Sequence, residues 1–394
     1  MRLVIGIDIA KDTHWLTAVT ERGEVVLDRA VPNEPAALEE VVAALRDRGA
    51  ERVFGIDVLG GIATLALAVL LANEEQVVYV PGLAVNRARD AEVGGETKSD
   101  SRDARVIAEQ VRTRRDLRPL RPDDETVAAL RVLVTRRRDL VTEQTRRLAR
   151  LHELLVRVHP GLERRLELTT KGALVLLRRY VTPAELRRGG AARVARHLRA
   201  AGIPRAERVA ARALESAQEQ RIVLPAEAVT AALVKELAAE ALAARERLAA
   251  LEAQLGELVA RHPEGTLIRS LPGMGVVLTS ELLATAGDQR RFRSADALAA
   301  AAGLAPVLRQ SGRTRVVRRA HRGSRVLKWI FWQAAHCAVL NDPVSRQFYQ
   351  RKRAEGKGHQ QAILALARRR INVLWAMLRD HKPYDTRVPR AVAA

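Results

Sequence analysis

The sequence predicts an α/β domain built on a mixed sheet, followed by an all-α remainder. Two observations carry this. Residues 1–115 alternate between period-2 and period-3.6 patterning, whereas beyond RPLRPDDE (118–125) the apolar positions step only by three and four. The arginine-heavy second part is also rich in alanine and leucine, and all three are strong helix formers.

Taken in order, RLVIGIDIA (2–10) reads as a buried strand, followed by strands in WLTAVT and EVVLDRAV about the turn ERG (21–23). Residues 35–48 read as a helix with Pro35 in its first turn and Leu38, Val41, Val42 and Leu45 on one face. RVFGIDV (52–58) is a further strand, GIATLALAVLLA (61–72) a helix, and QVVYV (76–80) a strand stopped by Pro81-Gly82. KSDSRDARVIAEQVRT (98–113) closes the region as a helix capped by Ser99 or Asp100. Three early strands followed by strands alternating with helices suit a mixed sheet.

The helical part begins with a long periodic run at 127, 130, 134, 137, 141, 144, 148, 151, 155 and 158, apolar except for Arg137 and Gln144. A second run, Leu237, Ala241, Ala244, Leu248, Leu251, Leu255 and Leu258, keeps the same coiled-coil step. The two could pair antiparallel within the chain or dimerise with another copy. Between them, 163–225 reads as short helices broken at Pro183, Gly189-Gly190 and Pro204. The expected domains are 1–118, a helical arm at 119–262 with an insertion at 160–225, a helical C-terminal domain at 263–385, and a disordered tail at 386–394.

The chain has 394 residues, of which 67 are Lys or Arg and 46 Asp or Glu, giving a formal charge of +21. Such an imbalance points to a polyanion, and nucleic-acid phosphates are the commonest. The single cysteine, Cys337, excludes an intramolecular disulfide framework. No apolar run is long enough to span a membrane, and no secretory signal pattern opens the chain, so a cytoplasmic, nucleoid-associated protein is expected.

Against that charge, the acids stand out. Asp8 ends the first strand and Asp57 a later one, and strand ends are where α/β sheets form sites. Asp100 and Asp103 lie three apart in a helix and so point the same way. If that helix packs beside the strand ends, four carboxylates converge, and divalent cations are the usual means of neutralising such a cluster. All-oxygen donors favour Mg2+ or Mn2+, and two such ions form the clamp used in phosphodiester chemistry. Taken singly, each acid has a structural role available: Asp57 could cap a turn and Asp100 a helix, and Asp12, Asp90 and Glu96 stand nearby.

Three strands, an acid on the first, an acid on the fourth and acids on a later helix resemble the RNase H/RuvC fold. More narrowly, GIDIAKDTH, FGIDVLGG and KSDSRDARVIAE resemble the N-terminal domain of the IS110/IS1111-family transposases. The family pattern is Asp, Glu, Asp, Asp. Asp8, Asp100 and Asp103 match it, while Asp57 stands where glutamate is usual. Lys98, Arg102 and Arg105 flank the helix acids and either contact phosphate or, the favoured reading, balance charge.

Further along, SLPGMGVVLTSELLA has the form of a helix-hairpin-helix turn, in which Pro272, Gly273 and Gly275 allow backbone N–H groups to hold a phosphate. Then Ser311 precedes Gly312 among Arg309, Arg313, Arg315, Arg318 and Arg319. A lone serine in such a loop is ordinarily a loop residue. Residues 267–350, however, resemble the same family's C-terminal domain, with its PGIG-like turn, GLxP, SG and basic-G elements in order. The family's Ser-Lys-x-Gly element is absent, with Ala320, His321, Arg322 and Gly323 in its place and Ser324 a helix cap.

The resemblance implies a DNA transposase or site-specific recombinase of an insertion sequence. Asp8, Asp57, Asp100 and Asp103 would bind Mg2+, and Ser311 would be the nucleophile. It also implies a composite site with contributions from different subunits of a homodimer or tetramer, acting on double-stranded DNA under the guidance of a structured RNA. The rival enzymes are a RuvC-type hydrolytic nuclease and a DNA invertase. The non-enzymatic rival is a basic coiled-coil DNA-binding protein.

Overall fold

A computed structural model describes residues 1–59, 61–91, 99–115, 117, 119–120, 125–286, 292, 294–312, 314–318, 320 and 322–385, with Leu83 and Arg309 described by their backbones alone. The chain forms two compact units, Met1–Pro122 and Asp123–Ala394.

The first unit is a five-stranded sheet. Its elements run β1 (Arg2–Asp8), β2 (Thr13–Thr20), β3 (Val25–Pro32), α1 (Pro35–Arg46), β4 (Glu51–Ile56), a 3-10 turn (Gly61–Ala63), α2 (Thr64–Ala72), β5 (Gln76–Tyr79), α3 (Gly82–Asp90) and α4 (Asp100–Thr113). The spatial order is β3-β2-β1-β4-β5. β2 pairs antiparallel with β1 and β3, while β1, β4 and β5 are parallel. The mixed sheet is therefore as the patterning predicts.

Strand alternation divides this core into two layers. Leu3, Ile5, Ile7, Phe54, Ile56 and Val77 meet α1 and α2, whose buried faces include Leu38, Val41, Val42 and Leu45. Val4, Val53, Val78 and Val80 face the other way, onto Val106, Ile107, Ala108 and Val111 of α4. Successive strand residues point to opposite faces, so Gly6 and Asp8 lie on the α4 side with Val4, and Gly55 and Asp57 with Val53.

The second unit is mainly helical: α5 (Glu125–Val158), α6 (Pro160–Arg165), α7 (Lys171–Leu177), α8 (Pro183–Ala200), α9 (Ala206–Glu219), α10 (Glu227–Arg261), α11 (Gly265–Ser270), α12 (Val276–Ala286), α13 (Ala295–Ala301), α14 (Arg325–Asn341), α15 (Pro343–Ala354) and α16 (His359–Asp380). α5 and α10 pair antiparallel within the chain, the first of the two arrangements the periodicity allows. Their cross-links run in opposite directions along the two helices: Arg137 Nε to Glu252 Oε1 (2.8 Å), Gln144 Nε2 to the Ala241 carbonyl (3.2 Å), and Arg147 Nε to Glu240 Oε2 (2.9 Å). Arg137 and Gln144, the two polar residues in the apolar run, thus both bridge the pair.

The far ends of α5 and α10 share a core with α6–α9. A break lies inside α8 at Gly190, where φ is +65°. The near ends, through Leu130, Val134, Leu255 and Val259, join the core of the C-terminal helices. Among the described residues, no helix is long and apolar enough to cross a membrane.

One local feature departs from an all-helical C-terminal part. β6 (Val307–Ser311) and β7 (Thr314–Arg318) form an antiparallel hairpin. Every described residue of β7 is exposed. The basic stretch that reads as an arginine loop also carries Val307, Leu308, Thr314, Val316 and Val317, strand formers that the charges conceal. The expected tail at 386–394 lies outside the described residues.

Candidate active site

The carboxylates of the first unit owe their placement to two glycines. Gly6 and Gly55 are direct partners across β1 and β4. A Cβ on Gly6 would lie 2.0 Å from the Ala104 carbonyl oxygen and 2.4 Å from the Ala108 nitrogen. On Gly55 it would lie 2.4 Å from Val111 Cγ2. Absent side chains therefore let α4 rest on the sheet. The next pair, Ile7 and Ile56, is the last in the register, and Asp8 and Asp57 follow it side by side at the carboxyl ends of adjacent parallel strands.

The direction of α4 brings its own acids to that end. Arg112, near the C-terminus, donates to the Glu21 carbonyl at the β2–β3 turn, which lies at the opposite end of the sheet. Ser99 caps the start of α4, its Oγ accepting from the Arg102 N–H at 3.3 Å. Ser101 Oγ donates to Asp28 Oδ2 at 2.9 Å. The first turn, carrying Asp100 and Asp103, thus lies toward Asp8. Asp103 is buried and Asp100 is exposed.

Asp103 does not stand alone. Arg89 Nη1 donates to its Oδ1 at 2.8 Å and Oδ2 at 3.1 Å. The Arg89 pKa is raised first by that hydrogen bond, is opposed by desolvation, and is raised further by the fields of Asp103, Asp90 and Asp8. Asp8 and Asp103 therefore act on one guanidinium. Asp57 acts on Tyr79, whose pKa is raised chiefly by burial and then by that negative charge. Among the described residues no three His, Cys, Asp or Glu side chains gather into a metal-sized group. The donor set itself, all carboxylate oxygen, suits a hard divalent cation.

Asp28, which the sequence reading passed over, is a structural acid. Its Oδ1 accepts from Trp15 Nε1 and Thr17 Oγ1, both at 2.7 Å. Burial would raise its pKa, but these bonds, the one from Ser101 and the Arg105 charge lower it overall. The Arg105 charge thus bears on Asp28. Lys98 and Glu96 lie outside the described residues.

His14 fixes the loop after Asp8. Its Nδ1 accepts from the Ala10 N–H at 3.2 Å, which puts the ring proton on Nε2, 2.9 Å from Asn33 Oδ1. Asn33 Nδ2 in turn donates to the Lys11 carbonyl at 2.9 Å. Arg89 and His14 were not singled out in the sequence, because each acts through a partner that only the folded chain brings near.

In the second unit, Ser311 ends β6 opposite Thr314, at the tip of the hairpin, and is exposed. Gly312, with φ of +54°, supplies the left-handed turn residue. Cross-strand pairing puts Arg318 on the Ser311 face and Arg315 on the other. Arg313, Arg319 and His321 lie outside the described residues, as does the side chain of Arg309.

The PGMG turn joins α11 to α12, and its glycines have different tasks. Gly273 has φ of +84°, and a Cβ there would fall 2.3 Å from the Ala334 carbonyl oxygen of α14. It is consumed by packing. The Pro272 carbonyl accepts from the buried Arg370. Gly275 is exposed at the start of α12, its carbonyl accepting from the Thr279 N–H at 3.0 Å.

Comparison with known proteins gives two family matches: a transposase model of the DEDD type over residues 5–160, and the model described as "Transposase IS116/IS110/IS902 family" over residues 265–350. The chain is 42% identical to an "Insertion element IS116 uncharacterized 44.8 kDa protein" of Streptomyces clavuligerus, over 98% of this chain and 97% of that one. It is 41% identical to an insertion element IS900 protein of Mycobacterium paratuberculosis, over 98% of each. A pilin gene-inverting protein of Moraxella bovis is 30% identical over 35% of this chain and 45% of its own length.

Proposed function

This chain belongs to the IS116/IS110/IS902 transposase family and is a DNA transposase/recombinase, and on that premise we propose how its residues cut and rejoin DNA. The observation that carries the proposal is the placement of Asp8 and Asp57 at neighbouring strand ends, beneath the helix turn that bears Asp100 and Asp103. Carboxylates at one end of the sheet in a chain of charge +21 have a purpose if they close on Mg2+ or Mn2+ against the phosphates that the arginines attract. Such an ion would stabilise negative charge on the phosphodiester oxygens. Asp57 fills the place of the family's usual glutamate.

Ser311 is the nucleophile. Its exposed position on a hairpin tip, with Arg318 on the same face, suits a phosphate reaching it from solvent. Ser311 Oγ bonds to phosphorus while one bridging P–O bond of the strand breaks. The departing strand oxygen leaves as a hydroxyl, and the serine proton is given up. Because one phosphate ester replaces another, attack by a second strand's hydroxyl reverses the exchange and rejoins DNA without an external energy source. The basic residues Arg309, Arg313, Arg315 and Arg319 and the start of α12 at Gly275 hold the backbone. Pro272 and Gly273 set the turn.

A structured RNA encoded by the element selects the target, and a homodimer or tetramer brings the acidic unit and the serine unit of different copies to one strand. The Moraxella relative is named for inverting a gene, which favours DNA inversion as the second reading.

The test is a covalent-adduct assay with supercoiled DNA carrying the element junction, its flanking RNA and Mg2+. A denaturation-resistant protein–DNA adduct, lost in Ser311→Ala and in Asp103→Asn, is expected. Nicking without adduct that persists in Ser311→Ala would establish a hydrolytic nuclease instead.

A further inference from the structure

Five of the chain's twelve Phe, Tyr and Trp residues fall within 329–349, in a protein where aromatics make up 3%. On α14, Arg325, Trp329, Trp332, His336 and Leu340 follow one another at steps of four, three, four and four, and so form one stripe. Its ends are open: Trp329 is 45% exposed and Leu340 63%. Between them, Trp332 and His336 stack with ring centroids 5.3 Å apart and planes 4° from parallel.

Neighbouring helices fix the stripe from the side. His359, at the start of α16, meets His336 edge-on at 6.1 Å. Tyr349 of α15 lies 5.8 Å from the His359 ring, its hydroxyl 2.8 Å from Nδ1. Trp332 Nε1 donates to Gln360 Oε1 at 3.0 Å. The rings are therefore held in place before any partner arrives, with polar groups at the rim.

Charge selects the partner. Residues 325–357 hold seven Lys or Arg against two acids, and one of those acids, Asp342, is buried. The stripe also begins at the foot of the Ser311 hairpin. Five residues separate Arg318 from Ser324, and the Ser324 N–H is tied to the Ala301 carbonyl at 2.6 Å. Ordered aromatics among cations, leading away from a serine hairpin in the same compact unit, match a platform on which unpaired bases stack.

We propose that Trp329, Trp332 and His336 form a binding surface for a single-stranded DNA segment, with Arg325 on its phosphates. The platform would take up the strand opened beside the serine. This rests on the recombinase reading for its biological setting, but the binding can be measured without any strand cutting.

The experiment is anisotropy titration of full-length protein against labelled oligodeoxythymidylate, the corresponding DNA duplex and oligouridylate, over a range of salt. Trp329→Ala is expected to weaken single-strand DNA binding by about 5- to 100-fold, the range seen when one stacking aromatic is removed. Trp329→Phe should retain most of the affinity. Duplex binding should be unchanged, and so should the slope of log affinity against log salt, because no phosphate contact is lost.

Equal losses on duplex and single strand would overturn the proposal, as would unchanged single-strand binding. A Trp329-dependent loss confined to oligouridylate would overturn the assignment to DNA. If Trp329→Ala alters sedimentation while leaving strand binding intact, the stripe is a protein contact and the proposal fails. Adduct formation with Trp329-independent binding sinks this inference alone. Trp329-dependent binding without adduct sinks the serine mechanism alone.

Discussion

Arg89 grips Asp103 through one nitrogen, Nη1, which reaches both carboxylate oxygens at 2.8 and 3.1 Å. A protein cation thus occupies the carboxylate that a divalent ion would require. Arg89→Gln removes the competitor. The Mn2+ concentration giving half-maximal adduct formation is expected to fall by about tenfold, since a competing hydrogen bond to a charged group is worth about 1.5 kcal/mol. An unchanged requirement would make the Arg89–Asp103 pair structural.

Gly6→Ala and Gly55→Ala should differ in severity although the two glycines are neighbours. At Gly6 the new methyl meets helix backbone, which cannot rotate away, and at Gly55 it meets the Val111 and Ile107 methyls. Urea unfolding should give a loss of about 3 kcal/mol for Gly6→Ala and about 1 kcal/mol for Gly55→Ala. Equal small losses would mean that α4 is not held against the sheet.

His14 makes the loop beside Asp8 sensitive to acid. Burial lowers its pKa below the ordinary 6.5, and the hydrogen bond from its ring to Asn33 only partly opposes this. The neutral ring fits the fold, so its stabilising contribution is fully present above about pH 6.5 and is lost as pH falls through the depressed folded value. Protonation would also end acceptance of the Ala10 N–H at Nδ1. Thermal unfolding followed from about pH 7 to about pH 5 should show a decline that His14→Gln reduces. His159, buried in the second unit with its pKa lowered by desolvation, adds a decline of the same sign that His14→Gln leaves in place.

Arg370 anchors the PGMG turn from inside. Burial pushes its pKa down to about 10, yet it donates to the Pro272 carbonyl and, at 3.2 Å, to Ser345 Oγ. Arg370→Ala strands both acceptors and should cost about 2–4 kcal/mol in a denaturant titration. DNA affinity should fall with it if the turn carries a phosphate. A stability loss with unaltered affinity would restrict the turn to packing.

Much of this was legible in the residues. The five strands, their order along the chain, Ser99 as one of two candidate caps and the apolar face of α1 follow from periodicity and cap chemistry, which are local. Asp8 and Asp57 could be placed at strand ends, but not side by side, because that depends on β4 pairing with β1. Arg89 lies fourteen positions from Asp103 on a different helix, so no spacing rule links them. The β6–β7 hairpin was hidden because five-residue strands rich in arginine look like a basic loop. Arg137 and Gln144 broke the apolar seam for a reason visible only when α10 lies opposite.

The hairpin bearing Ser311 has a kinetic consequence. An isolated two-stranded ribbon is marginally stable in water, and this one is exposed along the whole of β7, with Leu308 and Val317 both open to solvent. The serine's position is therefore an equilibrium quantity. If Ser311 is the nucleophile, the observed rate of strand attack would be the intrinsic rate multiplied by the fraction of time the ribbon is formed. Whatever covers Leu308 and Val317 raises that fraction. On the proposed mechanism the nucleophile would be latent away from its target, and assembly would supply the trigger.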